Sequence, residues 1–446
     1  MRSFLRARRF RRVPIASAAV ALVATAVAFA VPLAAEPAST SSWTRWGGAD
    51  GNFVAANERG VIRPWSAEGP RILWQQTMGA GESAVLVEGD VLYTFHRAGE
   101  GASGEEIVRA LKAADGSEIW AHRYTVSSEP TKDQATEFGR GPRATPLLAG
   151  DRLFTIGFAG DFHAYDKRSG KMLWSTRLVE DHGAKRHRFG YSHPPVMIDG
   201  RVMLPIGSET VGLAGFDPAT GEMTWKSAPA SAAYAVPLAA TLDGVRQLLY
   251  MSETHVVGFD PKSGEQLWAH PHKNQYLTNV LGPWVVDGKT IFVSANTDAG
   301  SRTLTVEAED DGTFRVKEIA RNKKLRIFHQ TAILDGDTIY ASDGGILHAY
   351  DVRQDKTLWR ERGFAKSNIV KVAEDNTVLL LTEDGALALA RLGTDGLTKL
   401  ADKVKLLDKP AWTPPTVVGT TAYLRDRSRL IAIDLSGAPA DASSGR

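Results

Sequence analysis

The chain has 446 residues, 43% apolar, 8% aromatic and 23% charged, the make-up of a folded globular protein and not of a disordered one. Its 53 basic and 51 acidic residues leave a formal charge of +2, and Arg2, Arg6, Arg8, Arg9, Arg11 and Arg12 crowd the first dozen positions. The remainder therefore carries no basic excess that would point to nucleic acid. Cysteine is absent, which excludes disulfides, thiolate metal sites, cysteine nucleophiles and an acylated lipoprotein cysteine.

Residues 1–35 read as an export segment. The basic stretch from Arg6 to Arg12 precedes an apolar run from Ile15 to Ala35, and Ala28-Phe-Ala30 and Leu33-Ala-Ala35 both offer small-residue cleavage sites. The run is also long enough to span a bilayer if it is retained as an inner-membrane anchor. Either outcome places the body outside the cytoplasm, in the periplasm or cell envelope. The Arg8-Arg9 pair is a weak twin-arginine signal. Residues 36–69 are expected to pack on the body as an extension, and 436–446 to form a disordered tail.

From residue 70 to 435 the chain repeats itself. Ala110-Leu-Lys-Ala-Ala-Asp-Gly-Ser-Glu-Ile-Trp120 is followed by Ala164-Tyr-Asp-Lys-Arg-Ser-Gly-Lys-Met-Leu-Trp174 and Ala214-Gly-Phe-Asp-Pro-Ala-Thr-Gly-Glu-Met-Thr-Trp225. Val257-Gly-Phe-Asp-Pro-Lys-Ser-Gly-Glu-Gln-Leu-Trp268 and Ala349-Tyr-Asp-Val-Arg-Gln-Asp-Lys-Thr-Leu-Trp359 continue the series. Ala432-Ile-Asp-Leu-Ser-Gly437 stops short of its tryptophan. Ahead of each phrase lies a second one, two apolar runs around a turn, as in Val85-Leu-Val-Glu-Gly-Asp-Val-Leu-Tyr93 and Ala332-Ile-Leu-Asp-Gly-Asp-Thr-Ile-Tyr340. Acid-glycine pairs between apolar runs are hairpin turns, because such turns need a positive φ.

Each unit thus reads as four short strands of about 45 residues, the signature of a propeller blade. Divergent units near 278–320 and 367–405 complete a count of eight. The expected fold is an all-β, eight-bladed β-propeller of four-stranded antiparallel blades. Arg71-Ile-Leu-Trp74 is an unattached outer strand, expected to close the ring on the last, incomplete blade and so remove its open edges. Trp74, Trp120, Trp174, Trp225, Trp268 and Trp359 are assigned to blade docking, each indole filling the wedge to the next blade while its N–H finds a carbonyl.

The Ala-x-Asp-x-x-Thr-Gly-x-x-x-Trp phrase resembles the docking motif of the quinoprotein-like, PQQ-like repeat propellers. That family includes pyrroloquinoline-quinone (PQQ) dehydrogenases and the propeller subunit of the outer-membrane β-barrel assembly machinery. Trp43-Thr-Arg-Trp46-Gly-Gly and Gly139-Arg-Gly-Pro-Arg-Ala-Thr-Pro146 resemble phrases of its envelope members. Among those members the dehydrogenases imply PQQ with calcium, carried by long insertions and often by an adjacent-cysteine disulfide. This chain has no cysteine and little room for such insertions.

Loops entering the innermost strands are where a propeller binds its ligands. Here they hold Arg140, Arg143, His187, Tyr191, His193, Tyr234, Asn279, Trp284, His329 and Trp412, which together suit an anionic, planar or sugar-like ligand or simply cap the channel. Arg140 and Arg143 could clamp a carboxylate or pair with Glu137 or Asp151. The histidines at 182, 187 and 193 are irregularly spaced among basic residues, which disfavours a metal. No catalytic signature is present: no Gly-x-Ser-x-Gly, P-loop, His-Glu-x-x-His or complete calcium loop. The expectation is a non-catalytic envelope scaffold for a protein or glycan, without nucleic acid and with membrane contact only through an uncleaved N-terminus. The alternative is a PQQ-dependent dehydrogenase of alcohols or sugars.

Overall fold

A computed structural model of the chain describes residues 42–55, 61–98, 104–128 and 139–437. The export segment expected at 1–35 and all but Ser436 and Gly437 of the expected tail lie outside the described residues. No helix among the described residues is long and apolar enough to cross a membrane.

The described chain forms eight antiparallel sheets arranged as an eight-bladed propeller, as the repeat requires. In blade 2 the strands are Leu147–Ala149, Arg152–Ile156, Asp161–Asp166 and Met172–Arg177, running from the channel outward. The divergent unit near 278–320 is blade 5, with Trp284–Val285, Thr290–Ala295, Gly300–Ala308 and Phe314–Asn322. The one near 367–405 is blade 7, with Asn368–Lys371, Thr377–Leu381, Ala386–Leu392 and Leu397–Lys405. The two middle strands of a blade are buried on both faces, which is why Thr377–Leu381 reads as the unbroken apolar run TVLLL. The outer strands alternate, as in the half-buried and exposed residues of Met172–Arg177.

One contact recurs around the ring. The indoles of five of the six assigned tryptophans donate to a carbonyl in the turn of the following blade: Trp74 to Ala113, Trp120 to Lys167, Trp174 to Pro218, Trp225 to Lys262 and Trp359 to Gly393, at 2.7–3.2 Å. The glycine of the Asp-x-x-Ser/Thr-Gly turn lies flat beneath the ring. A Cβ on Gly170 would come within 2.5 Å of Trp120, and one on Gly221 within 2.7 Å of Trp174. These glycines also sit at φ +71° and +76°, so two requirements select the same residue.

The joint that receives blade 5 differs from the others. Blade 5 has no docking tryptophan, and the turn of blade 6 that would receive it carries Asp355 at the left-handed position. Trp268 of blade 4, which meets no repeat turn in blade 5, donates instead to Gln247 Oε1 of its own blade at 2.6 Å.

Closure follows the expectation. Strand Arg71–Thr77 pairs with Arg429–Asp434, supplying the outer strand of blade 8. The seam to blade 1 is pinned by Arg425, wholly buried, whose guanidinium donates to the carbonyls of Ser83, Phe95 and Gly81 at 2.8–3.0 Å. Burial lowers its pKa to about 10, still leaving a cation at neutral pH. The extension also packs on the propeller. Trp65 donates to Asp402 O at 3.0 Å on the outer strand of blade 7.

Trp174→Ala is expected to destabilise the propeller by about 3–5 kcal/mol, and Gly170→Ala to cost stability by displacing Trp120. Thermal unfolding of both variants checks this; an unchanged melting temperature for Gly170→Ala would refute the docking assignment.

Candidate functional site

The segment after the start of the described chain does not simply lie on the outside. Ser42–Trp43 adds a fifth strand to blade 1, pairing on the channel side with Glu88 and Val87. Thr44 O then accepts from Leu148 N of blade 2 at 2.8 Å. Phe53 and Ala55 exchange hydrogen bonds with Lys371 of blade 7. Between these anchors, Trp46-Gly47-Gly48 folds back on itself: Phe53 N donates to Gly47 O at 2.8 Å, and the Trp46 and Phe53 rings meet edge to face at 5.2 Å. Gly47 is at φ +81°, and a Cβ there would reach within 2.6 Å of the Gly51 backbone. The double glycine is what lets this loop close.

On the opposite side of that loop, where the chain enters each inner strand, the eight approaches leave a funnel of about 720 Å³ with Trp46 at its base. Every blade contributes to the wall: Glu82 from blade 1, Arg143 from blade 2, Arg188 and Phe189 from blade 3, and Tyr234 from blade 4. Tyr276 and Asn296 come from blade 5, Phe328 and His329 from blade 6, Lys366 from blade 7 and Trp412 from blade 8.

Two carboxylates organise the charge. Glu82 is shared by Arg427, at 2.7 Å, and Arg143, at 3.5 Å. Glu383 is shared by Lys366 at 2.9 Å and Lys409 at 3.4 Å, and it also accepts the Trp412 indole N–H at 2.9 Å. Burial would raise the Glu383 carboxyl, but hydrogen bonds from Lys366 and Trp412 outweigh it and hold the group below its ordinary value. The guanidinium of Arg427 lies 5.2 Å from the Trp412 ring centroid, and that of Arg143 the same distance from Phe158. Arg188 is exposed over Phe189 and has no acidic partner among the described residues.

Of the ten residues selected from the sequence, Arg143, Tyr234, His329 and Trp412 line the funnel. Asp151 bonds Arg152, Glu137 lies outside the described residues, and the described acidic partner of Arg143 is Glu82. Arg140 is half-buried just before it and outside the lining. His187, Tyr191 and His193 stand behind the wall, with ring centroids 4.9–5.6 Å apart. Burial lowers His187 to about 4 and His193 well below the usual range, so both imidazoles are neutral. Tyr191 donates to Lys185 O. Asn279 gives its amide to the carbonyls of Ser252 and His272, a structural use. Trp284 lies on the inner strand of blade 5 against Phe292 and does not reach the funnel.

Trp46, Glu82, Arg188, Lys366 and Glu383 were not selected. Lys366 and Arg188 share the signal that found the others, a position just ahead of an inner strand. Trp46 belongs to the extension, and Glu383 sits in an Asp-Gly turn, so only the fold brings them to the channel.

A buried carboxylate supports this wall from behind. Glu106 of blade 1 accepts from the backbone N–H of Phe158 at 2.9 Å and from the hydroxyl of Tyr124. Phe158 in turn carries Arg143 and accepts Tyr191 N–H through its carbonyl. Burial pushes the Glu106 carboxyl up to about 7, against those hydrogen bonds.

The comparisons with known proteins agree with this architecture. The family model described as outer membrane protein assembly factor BamB matches residues 103–361, more than half of the chain. The chain belongs to this family of PQQ-like repeat propellers. No curated protein matches it in sequence. Among solved structures, BamB from Moraxella catarrhalis is similar at 15% identity and a TM-score of 0.50, over 84% of this chain and 100% of that one. The quinohemoprotein alcohol dehydrogenase from Comamonas testosteroni is similar at 12% identity and a TM-score of 0.57, over 92% and 83%. A europium-containing methanol dehydrogenase is similar at 13% identity and a TM-score of 0.58, over 89% and 90%. These likenesses are of fold.

The enzymes of this fold raise the question of a quinone held with a divalent cation. The funnel's donors do not fit that pair. Both carboxylates are already spent on basic side chains, and no group of three or more histidines or acids among the described residues could hold a metal. A metal placed between such cations would meet repulsion where it needs ligands.

The raised Glu106 has a sign that can be checked. A carboxyl easier to protonate folded than unfolded loses stability for the fold as pH rises from 4.5 to about 7, by about 3 kcal/mol in full. Glu106→Gln should therefore gain relative to wild type between pH 5 and pH 8, read from denaturant midpoints at the two pH values. A constant difference would show that Glu106 stays ionised throughout.

Proposed function

We propose that this PQQ-like propeller is a non-catalytic binding scaffold of the bacterial cell envelope, which engages its partner through the funnel. The observation that carries the reading is the state of the two carboxylates. Each is paired with two cations, so neither carboxylate is free to act as a general base or to ligate a divalent cation, while the aromatic walls and cations are groups that bind. Family membership supports the envelope setting, since the family is described by an outer-membrane assembly factor. The basic-then-apolar segment at 1–35 supports export. A partner held in this funnel would contact Trp412, Arg188 and Tyr276 at the wall and Trp46 at the base.

The competing activity is quinone-dependent oxidation of alcohols or sugars. The test mixes purified protein with PQQ and calcium, then follows quinone binding and dye reduction with a panel of alcohols and aldoses. No quinone binding at micromolar concentration and no dye reduction are expected. Stoichiometric quinone binding with turnover would overturn the scaffold reading.

A further inference from the structure

We propose that the outer wall of blades 5, 6 and 7 rests on the anionic headgroups of a phospholipid bilayer. This contact is separate from the funnel and from any that residues 1–35 make.

Cations are unevenly distributed over the outer strands. Those of blades 5, 6 and 7 (Phe314–Asn322, Lys356–Arg362 and Leu397–Lys405) carry three lysines or arginines each, all nine exposed. The outer strands of blades 8, 1, 2 and 3 carry one each, and that of blade 4, Gln266–Pro271, carries none. The three rich strands are neighbours in the ring and make one continuous sector. Three acids lie on them, Glu318, Glu361 and Asp402, and Glu318 is taken by Arg302. Of the nine cations, Arg315 alone is in an ion pair among the described residues.

These cations are also aligned. Each of the three strands bulges at the docking position, which is Ala320, Trp359 or Ala401. A cation stands on either side of it in every case: Lys317 and Arg321, Lys356 and Arg360, Lys399 and Lys403. The two members of a pair are separated by about 13 Å of strand. The result is two rows that cross three blades, one nearer the funnel and one nearer the turns.

Charge on an outer edge can serve simply to block pairing with another sheet. That need is the same on all eight outer strands, and five of them meet it with one cation or none. The excess in the sector answers to something else. A protein partner requires an apolar centre that can be desolvated, and Ile319 is the one large apolar side chain exposed on the three strands. A linear polyanion would cover one row at a time. A bilayer leaflet covers both, because its anions spread over a plane and attract lysine and arginine within a Debye length. Long lysine and arginine stems bring charges from a curved wall to one level.

The test uses the full chain, which has no cysteine of its own, with a single spin-labelled cysteine at Ile319→Cys or Leu173→Cys. These residues are 43% and 41% exposed and occupy the same bulge, one in the sector and one on blade 2, across the ring from blade 6. Vesicles of phosphatidylcholine with about one third phosphatidylglycerol should shield the Ile319→Cys label from a water-soluble relaxation agent and leave the Leu173→Cys label accessible. Pure phosphatidylcholine vesicles should shield neither, and about 0.5 M salt should abolish the shielding. The triple change Lys317→Glu, Arg360→Glu, Lys399→Glu should raise the phosphatidylglycerol needed for half-maximal shielding about tenfold or more, with an unchanged melting temperature. Because the two labels report which wall meets the lipid, the result is the same whether or not residues 1–35 insert. Equal shielding of both labels, or shielding on pure phosphatidylcholine, would overturn the proposal. So would shielding of neither label on the anionic vesicles. Shielding of the Ile319→Cys label by soluble polyglutamate but not by vesicles would reassign the sector to an acidic protein.

Discussion

The structure depends on a flat ring lying on a residue without a side chain. An indole over the turn glycine of the next blade buries a large apolar face and places its N–H on a carbonyl that would otherwise be left unpaired inside the joint. A Cβ in the turn would lift the indole, and a smaller residue in place of the tryptophan would leave a void between two sheets. Blades 5 and 6 show the coupling from the other side: once the tryptophan is gone, the turn is free to carry Asp355, whose carboxylate accepts the Tyr350 hydroxyl. At three joints, Trp74 on Gly116, Trp120 on Gly170 and Trp174 on Gly221, the indole and the glycine are matched as a pair.

That contact lies toward the outside of the ring and leaves the inside unconstrained. The approaches to the inner strands carry no docking duty, so they can vary in length and charge from blade to blade. The funnel is built from that freedom. Its wall takes one to several side chains from each blade and has no repeating pattern. Its two charge clusters bridge neighbours across the ring: Glu82 gathers cations from blades 2 and 8, and Glu383 gathers them from the approaches to blades 7 and 8. Behind the wall, Glu106, Phe158 and Arg143 form a chain of contacts from a buried carboxylate to a lining guanidinium.

The difference between these two regions explains what could be read from residues alone. The blades, their number, the turns and the closing strand were legible because each is fixed by local periodicity or by turn chemistry. Trp74 announced the closing strand by standing apart from any complete repeat. The funnel was legible only through position: Arg143, Tyr234, His329 and Trp412 precede inner strands and do line it. The same rule misplaced Asn279 and Trp284, because it says which end of the blade a loop occupies and not which way a side chain turns. Asn279 turns back to bond two carbonyls, and Trp284 lies on its own sheet. Trp46 and Glu383 had no such signal, since their place at the channel follows from pairings between segments far apart in the chain.

Closure by the strand Arg71–Thr77 has a consequence for how the molecule comes to exist. Its partner on blade 8, which includes Asp434 bonded to Arg71, is made 363 residues later. Until then the strand has no sheet to join, and Trp74 is half of a joint between blades 8 and 1. Bringing the two ends together costs entropy that grows only with the logarithm of the intervening length, and intervening blades that have already folded shorten the effective loop. Blade 8 can therefore be completed only when two segments far apart in the chain have met. A ring completed in that way has no terminal blade to peel off, so opening it means breaking into a joint that is already sealed on both sides.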